Sequence, residues 1–283
     1  MQIAFTKMHG LGNSYIYINT FDVSLAGQDL SVLAKKVSDP NTGIGSDGLI
    51  LITPSEQADV GMRMFNKDGS EGKTCGNGLR CVAKYAFDNQ LVTTRTFTIE
   101  TRAGNVSAEI LGEGRVAEQV TIDMGPPYLQ RKQIPMVGVN LERIVNEPFP
   151  VGDQTLRITA VSMGNPHAVF FVDNIELAPL YELGPIITND ERFPESVNVE
   201  FVEVVNENEL NFRVWERGSG VTQACGTGAC AAAVAAILNK LAKRSEDIVV
   251  HLAGGDLIIN WSKDNHVWMT GPAMTTVQGQ FIL

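Results

Sequence analysis

The chain is short of positive charge: 22 Lys and Arg stand against 32 Asp and Glu, a formal net charge of −10 over 283 residues. A surface with that balance carries no basic footprint for a phosphate backbone or an anionic bilayer, so nucleic-acid and membrane-surface binding are disfavoured. Long apolar runs are also missing. The longest helical one, Ala229 to Leu238, meets Asn239 and Lys240 well short of the roughly 18–20 residues a bilayer span requires. The opening MQIAFTKMHG has no basic stretch, no apolar core and no small-residue cleavage site, so no secretory signal is expected. Cysteine is scarce at four residues and no C-x-x-C occurs, which points to cytoplasmic thiols rather than a disulfide framework or a thioredoxin-type exchanger. The spacings C-x5-C and C-x4-C suit zinc knuckles poorly, so no metal is expected. The sequons at Asn105 and Asn260 are then coincidental.

What is present repeats. Gly12-Asn13 before YIYI resembles Gly164-Asn165 before HAVFFV; LILI after Gly48 resembles VEFV after Asn198. Cys75-Gly-Asn-Gly resembles Cys225-Gly-Thr-Gly 150 residues on, and both halves end near a Gly-Pro. Four pairs in one order indicate a duplicated domain. The expected division is 1–124 for the first repeat, joined by a returning strand in 272–283, and 125–271 for the second. VTIDM, LRITAV, HAVFFV, VNVEFVEV, LNFRVW and DLIINW are β-branched or aromatic runs bounded by turn residues. Helical patterning is confined to Asp29–Lys36 and to the segments after Cys75 and Cys225, the last running to Lys243. The fold class expected is α/β in the α+β sense: two pseudo-symmetric domains, each a curved, mostly antiparallel sheet or barrel around one central helix.

The two cysteines ahead of Gly-x-Gly carry the chemistry. A thiol at the start of a helix faces backbone N–H groups and the positive end of the helix dipole, which stabilise a thiolate and can bring its pKa from about 8.5 toward neutrality. Cys81 and Cys230 fall inside the helices and suit small buried hydrophobes. Gly43-Ile-Gly45-Ser-Asp-Gly48 matches G-x-G-x-x-G but leads into a strand, and Gly226-Thr-Gly228-Ala-Cys-Ala231 follows polar RGSGVTQA rather than a strand end. Neither meets the context a dinucleotide fingerprint needs.

Polar groups gather ahead of each thiol. Asn66 and Lys67 precede Cys75 by nine and eight residues, as Glu216 and Arg217 precede Cys225. Lys67 reads as a solvated loop residue, while Arg217 at a strand end is placed for bidentate carboxylate recognition. Asn13, Asn165 and Asn198 fall at corresponding turns; each could serve turn geometry alone. His167 is a core histidine, an orienting group or an acid/base, and the pattern does not choose. If the two domains face each other, two thiols flank one carbon whose carboxylate sits at helix N-termini. One thiolate takes the α-proton while the other thiol returns one to the opposite face. The rival reading is a small-anion binder using the same helix ends without chemistry.

FNKDGSEGKTCGNGLRC, GNPHAVFFV, NVEFV and ERGSGVTQACGTGA resemble the signature segments of diaminopimelate epimerase, over nearly the whole chain. Proline racemase relatives carry His rather than Asn after Cys-Gly in the first motif, and phenazine-biosynthesis-like isomerases lack the thiol pair. The resemblance implies a cofactor-independent isomerase interconverting LL- and meso-2,6-diaminopimelate in lysine and peptidoglycan precursor synthesis, with no metal, a closing cleft and usually a homodimer. A related amino-acid racemase of the same fold is the nearest alternative. It implies Cys75 and Cys225 as the two bases, and Gly76, Asn77, Gly226 and Thr227 on the reacting carboxylate. Asn66, Asn165, Asn198 and Arg217 would read the distal amino-acid end, with Asn13 and Glu216 nearby and His167 in support. Two positions depart from the commonest pattern: Gly48 stands where Gln is frequent, removing a possible polar contact, and Ser14 where Asp is frequent.

Overall fold

The computed structural model describes residues 2–138 and 142–283. The chain divides into two compact units, Met1–Asp123 with Thr270–Leu283, and Met124–Met269. In the first, β1 (Gln2–Gly10), β2 (Asn13–Asn19), α1 (Leu30–Ser38), β3 (Gly48–Thr53), β4 (Val60–Asn66) and β5 (Glu71–Gly72) lead to α2 (Gly76–Asp88), followed by β6 (Thr96–Thr101), β7 (Gly104–Leu111) and β8 (Gln119–Asp123). The second opens on β9 (Glu147–Val151) and continues with β10 (Gln154–Ser162), β11 (Pro166–Phe171), α3 (Leu180–Thr188), β12 (Asn198–Asn206), β13 (Glu209–Glu216) and β14 (Gly220–Val221). It then runs through α4 (Gly226–Leu238), β15 (Ile248–Leu252), β16 (Gly255–Trp261) and β17 (Val267–Gly271), after which β18 (Met274–Ile282) closes the chain.

The pairing shows the same plan twice. In the first unit, β2 and β3 are parallel across α1, β4 and β6 are parallel across α2, and the remaining ladders are antiparallel. In the second, β11 and β12 are parallel across α3, and β13 and β15 across α4. The fold is therefore α+β in two domains, mostly antiparallel, with two parallel pairs in each among the described residues. α2 packs on β1, β7 and β8, and α4 on β10, β11, β15 and β16, so each sheet wraps its central helix. Ala229 through Ala236 are all buried. Small side chains let several strands approach α4 on more than one side, which is why its apolar pattern has no polar face.

Four differences from the sequence expectations have physical causes. The first helix starts at Leu30, because the Asp29 carboxylate caps it by accepting from the N–H groups of Ser31 and Val32. α4 stops at Leu238 rather than Lys243: Asn239 caps it and Lys240 takes φ +62°, turning the chain away. α2 ends the same way at Asn89, with Gln90 at φ +60°. Helix α3 was not legible because it contains Pro185, yet Leu180, Leu183 and Ile187 bury into a core built on Phe149, Phe170, Phe193 and Phe201. Packing there outweighs the proline penalty. Finally, the returning strand occupies Met274–Ile282 rather than the whole of 272–283, pairing antiparallel with β1. From 274 to 280 its residues are exposed on both faces, so it carries no alternation of apolar and polar positions.

Candidate active site

Each cysteine ahead of a Gly-x-Gly is the N-cap of its unit's central helix. Cys75 holds φ −148° and ψ 117°, Cys225 φ −122° and ψ 102°, both extended, and neither cysteine makes a side-chain N-cap hydrogen bond. The first turn of such a helix is a site for an anion. Gly76 and Gly226 are the first helical residues, and Asn77 and Thr227 the second.

In the first unit the Cys75 thiol donates to Asn13 Oδ1 at 3.6 Å, and Asn77 Nδ2 donates to the same oxygen at 3.3 Å. Asn13 is itself held: its Nδ2 and the Ser14 N–H both donate to Asp47 Oδ2 at 2.8 Å. Arg80, fully buried, donates from Nη2 to Asn77 Oδ1 at 2.9 Å and from Nε to the Pro272 carbonyl at 3.2 Å. The structure thus brings Asn13, Cys75 and Asn77 together. It places Asn66 at the end of β4, with its amide donating to Ser70 Oγ at 3.0 Å. The Tyr15 phenol is held far above its ordinary pKa by burial first, then by Cys75 and Asp47.

The departure at Gly48 has a steric cause. A Cβ there would stand 2.1 Å from the Phe65 carbonyl oxygen and 2.9 Å from Tyr15 Cε1. No side chain fits this backbone, so the expected loss of a polar contact is secondary to close packing of β3 on β4. Ser14 lies beside Asp47, where a second carboxylate would meet like charge.

In the second unit the polar groups form one chain. Cys225 Sγ lies 3.6 Å from Thr227 Oγ1, which accepts from Asn165 Nδ2 at 3.3 Å. Asn165 Oδ1 faces His167 Nε2 at 3.1 Å, and His167 Nδ1 faces Glu200 Oε1 at 2.6 Å. The parallel register of β11 on β12 sets His167 opposite Asn198, whose Oδ1 accepts the Arg217 N–H at 2.9 Å. The Arg217 guanidinium donates to the Glu195 carbonyl at 2.8 Å. Glu216 accepts the Thr222 hydroxyl.

His167, Asn198, Glu200 and Cys225 are all buried. Burial pushes the Cys225 thiol well above its ordinary pKa, and Glu216 and Glu200 push it further; Thr227 and the Gly228 N–H oppose them only in part. This corrects the expectation of a depressed thiol at this helix start. Desolvation and two carboxylates outweigh the helix end. Asp47, Tyr15, Arg80 and Glu200 were missed in the sequence, although Glu200 stands alone in an apolar N-V-E-F-V run and Arg80 in a helix interior.

A two-domain fold of this kind is shared with solved structures of low sequence identity. A Bacillus anthracis phenazine biosynthesis protein of the PhzF family superposes with a TM-score of 0.71 at 16% identity, covering 100% of both chains. A hydroxyproline epimerase from Agrobacterium vitis gives 0.69 at 14%, covering 99% of this chain and 91% of that one. These define the class by fold. The chain also matches the family described as diaminopimelate epimerase over residues 5–130 and 159–276. It is 64% identical to the diaminopimelate epimerase of Oceanobacillus iheyensis, covering 99% of this chain and 98% of that one, and 61% identical to that of Bacillus subtilis with the same coverage. The chain belongs to the diaminopimelate epimerase family.

Proposed function

We propose that this isomerase interconverts LL- and meso-2,6-diaminopimelate by a two-thiol proton transfer, with Cys75 and Cys225 acting on opposite faces of one α-carbon. The observation that carries this reading is the recurrence of a thiol as the uncapped N-cap residue of both central helices. The α-carboxylate lies on the first turns, against Gly76, Asn77, Gly226 and Thr227, where backbone dipoles stabilise the enolate-like charge that develops on proton loss. Asn66, Asn165, Asn198 and Arg217 read the distal amino-acid end, with Asn13 and Glu216 beside the thiols and His167 supporting Asn165.

In the direction that begins with Cys225 protonated, as its burial and neighbouring carboxylates favour, Cys75 removes the α-proton as thiolate. Cys225 then delivers its own proton to the opposite face and is left as thiolate. The reverse direction exchanges the roles. Positioning contributes about 7–11 kcal/mol and each preorganised donor on the order of 3 kcal/mol toward a very weakly acidic C–H. The reaction as drawn calls for no cofactor. The working form is taken to be a cytoplasmic homodimer, which sedimentation velocity checks; among the described residues, no helix is long and apolar enough to cross a membrane.

The test is incubation with LL-diaminopimelate in heavy water with no cofactor added, followed by chiral product analysis. The expected result is meso product with one deuterium at the inverted carbon. Cys75→Ala and Cys225→Ala should each abolish inversion. Full epimerisation by either single variant would overturn the two-thiol assignment, and an absence of deuterium incorporation would leave the anion-binding reading.

A further inference from the structure

Glu200 is fully buried on β12, its Oε1 against His167 Nδ1 at 2.6 Å and its Oε2 without a hydrogen-bond partner. It lies against the first turn of α4: a Cβ added at Gly228 would come within 3.1 Å of Glu200 Oε1 and 3.2 Å of Cys225 Sγ. A buried carboxyl with an idle oxygen beside a reacting thiol calls for a role.

The proton count supplies one. His167 is as buried as Glu200. An ionised Glu200 beside a neutral imidazole would leave a net negative charge in the interior, and the other groups facing it, Glu216 and Cys225, add no positive charge. Desolvation therefore favours a net-neutral pair, which holds two protons. One lies between Nδ1 and Oε1, whichever atom owns it. The other is on Nε2. A protonated Nε2 must donate, so it selects the oxygen of the Asn165 amide, seen at 3.1 Å. The amide's Nδ2 is then turned to Thr227 Oγ1 at 3.3 Å. Without that proton the amide would gain by turning over, and Thr227 would lose its donor.

We propose that Glu200 is a positioning residue for the epimerisation: its carboxyl keeps a proton on His167 Nε2, which fixes the Asn165 amide and through it the Thr227 hydroxyl beside Cys225. This rests on Cys225 being one of the two reacting thiols. Asn198 does not substitute for Glu200. Its Nδ2 is 3.5 Å from His167 Nδ1, and its Oδ1 is engaged by the Arg217 N–H.

Two measurements test it. Long-range ¹H–¹⁵N spectra of the ring nitrogens, with His167 assigned by replacing His9, His251 and His266 each with Gln, should show Nε2 carrying its proton under the conditions of the activity assay. A bare Nε2 there overturns the proposal, with no variant at position 200 and no turnover involved. Kinetically, Glu200→Leu should lower kcat tenfold or more, and Glu200→Gln, whose amide can still donate to Nδ1, should return it to within threefold of the parent. A folded Glu200→Leu within twofold of parental activity overturns the proposal, as does a folded Glu200→Gln no better than Glu200→Leu. If Glu200→Leu fails to fold, the parental spectrum and Glu200→Gln decide. Failure of the thiol assignment itself would appear separately, as inversion by Cys225→Ala with the ring spectrum unchanged.

Discussion

The second glycine of each Gly-x-Gly motif offers the same substitution in two different surroundings. At Gly78 an added methyl would meet Ile50 Cδ1 at 2.7 Å and Met62 Cε at 3.2 Å, with Cys75 Cβ at an ordinary 3.5 Å. The first two are ends of flexible side chains, able to turn aside. At Gly228 the methyl would meet Phe212 Cζ at 3.0 Å, Glu200 Oε1 at 3.1 Å and Cys225 Sγ at 3.2 Å. Phe212 is a buried ring and Glu200 is held by His167, so the atom left to move is the sulfur. Overpacking costs about 1–3 kcal/mol, against up to about 1 kcal/mol gained by Ala over Gly in a helix. Gly78→Ala should therefore melt within a few degrees of the parent and keep its activity. Gly228→Ala should lose about 1–2 kcal/mol of stability. Its sulfur moves by a few tenths of an ångström, and since about 1 Å of misplacement can cost a hundredfold, kcat should fall roughly three- to tenfold. Thermal melts and initial rates on LL-diaminopimelate measure both. Equal loss of activity in the two variants, or a fully active Gly228→Ala, would refute this reasoning.

Gly48→Gln, which restores the residue frequent in the family pattern, should lower the melting temperature rather than add a contact, because its Cβ meets the Phe65 carbonyl; a more stable variant would contradict that geometry. Arg80→Met removes the donors to Asn77 Oδ1 and the Pro272 carbonyl, and should cost about 3–6 kcal/mol in urea unfolding, charged hydrogen bonds being worth about 1.5–3 kcal/mol each. Cys225 should resist alkylation at neutral pH. Burial and the two carboxyls raise its pKa, so in the Cys75→Ala background its rate with iodoacetamide should still climb above the ordinary cysteine range, and a plateau within or below that range would show that they do not act as described. The same sign applies to stability: the unfolded thiol ionises first as pH rises, so this group favours unfolding only above the ordinary cysteine pKa.

The sequence shows its duplication because the thiols, the Gly-x-Gly turns and the Asn-bearing turns recur in register. The central helices and their starts were legible for that reason. What was not legible depends on contacts distant in sequence. Asp47 lies in a loop whose glycines suggest a nucleotide motif, and only the fold brings its carboxylate to Asn13. Strand β18 has no apolar alternation to mark it, since β1 supplies its order. The direction of the Cys225 shift could not be read from a helix start. It is set by burial and by carboxylates on β12 and β13, which neighbour the thiol only in three dimensions.

A duplicated protein that uses one thiol as acid and the other as base must make its two repeats differ. Duplication places a thiol identically in each repeat, and identical surroundings would leave the two with equal tendencies to hold a proton. A reaction that needs one thiolate and one thiol is better served when the environments diverge. Here they do. The Cys75 sulfur meets a neutral amide oxygen, Asn13 Oδ1, and the buried Tyr15 phenol. Cys225 is buried, and desolvation first, then the Glu216 and Glu200 carboxyls, favour its protonated form. On the proposed two-thiol mechanism, the residues that differ between the repeats favour Cys225 as the thiol that starts protonated.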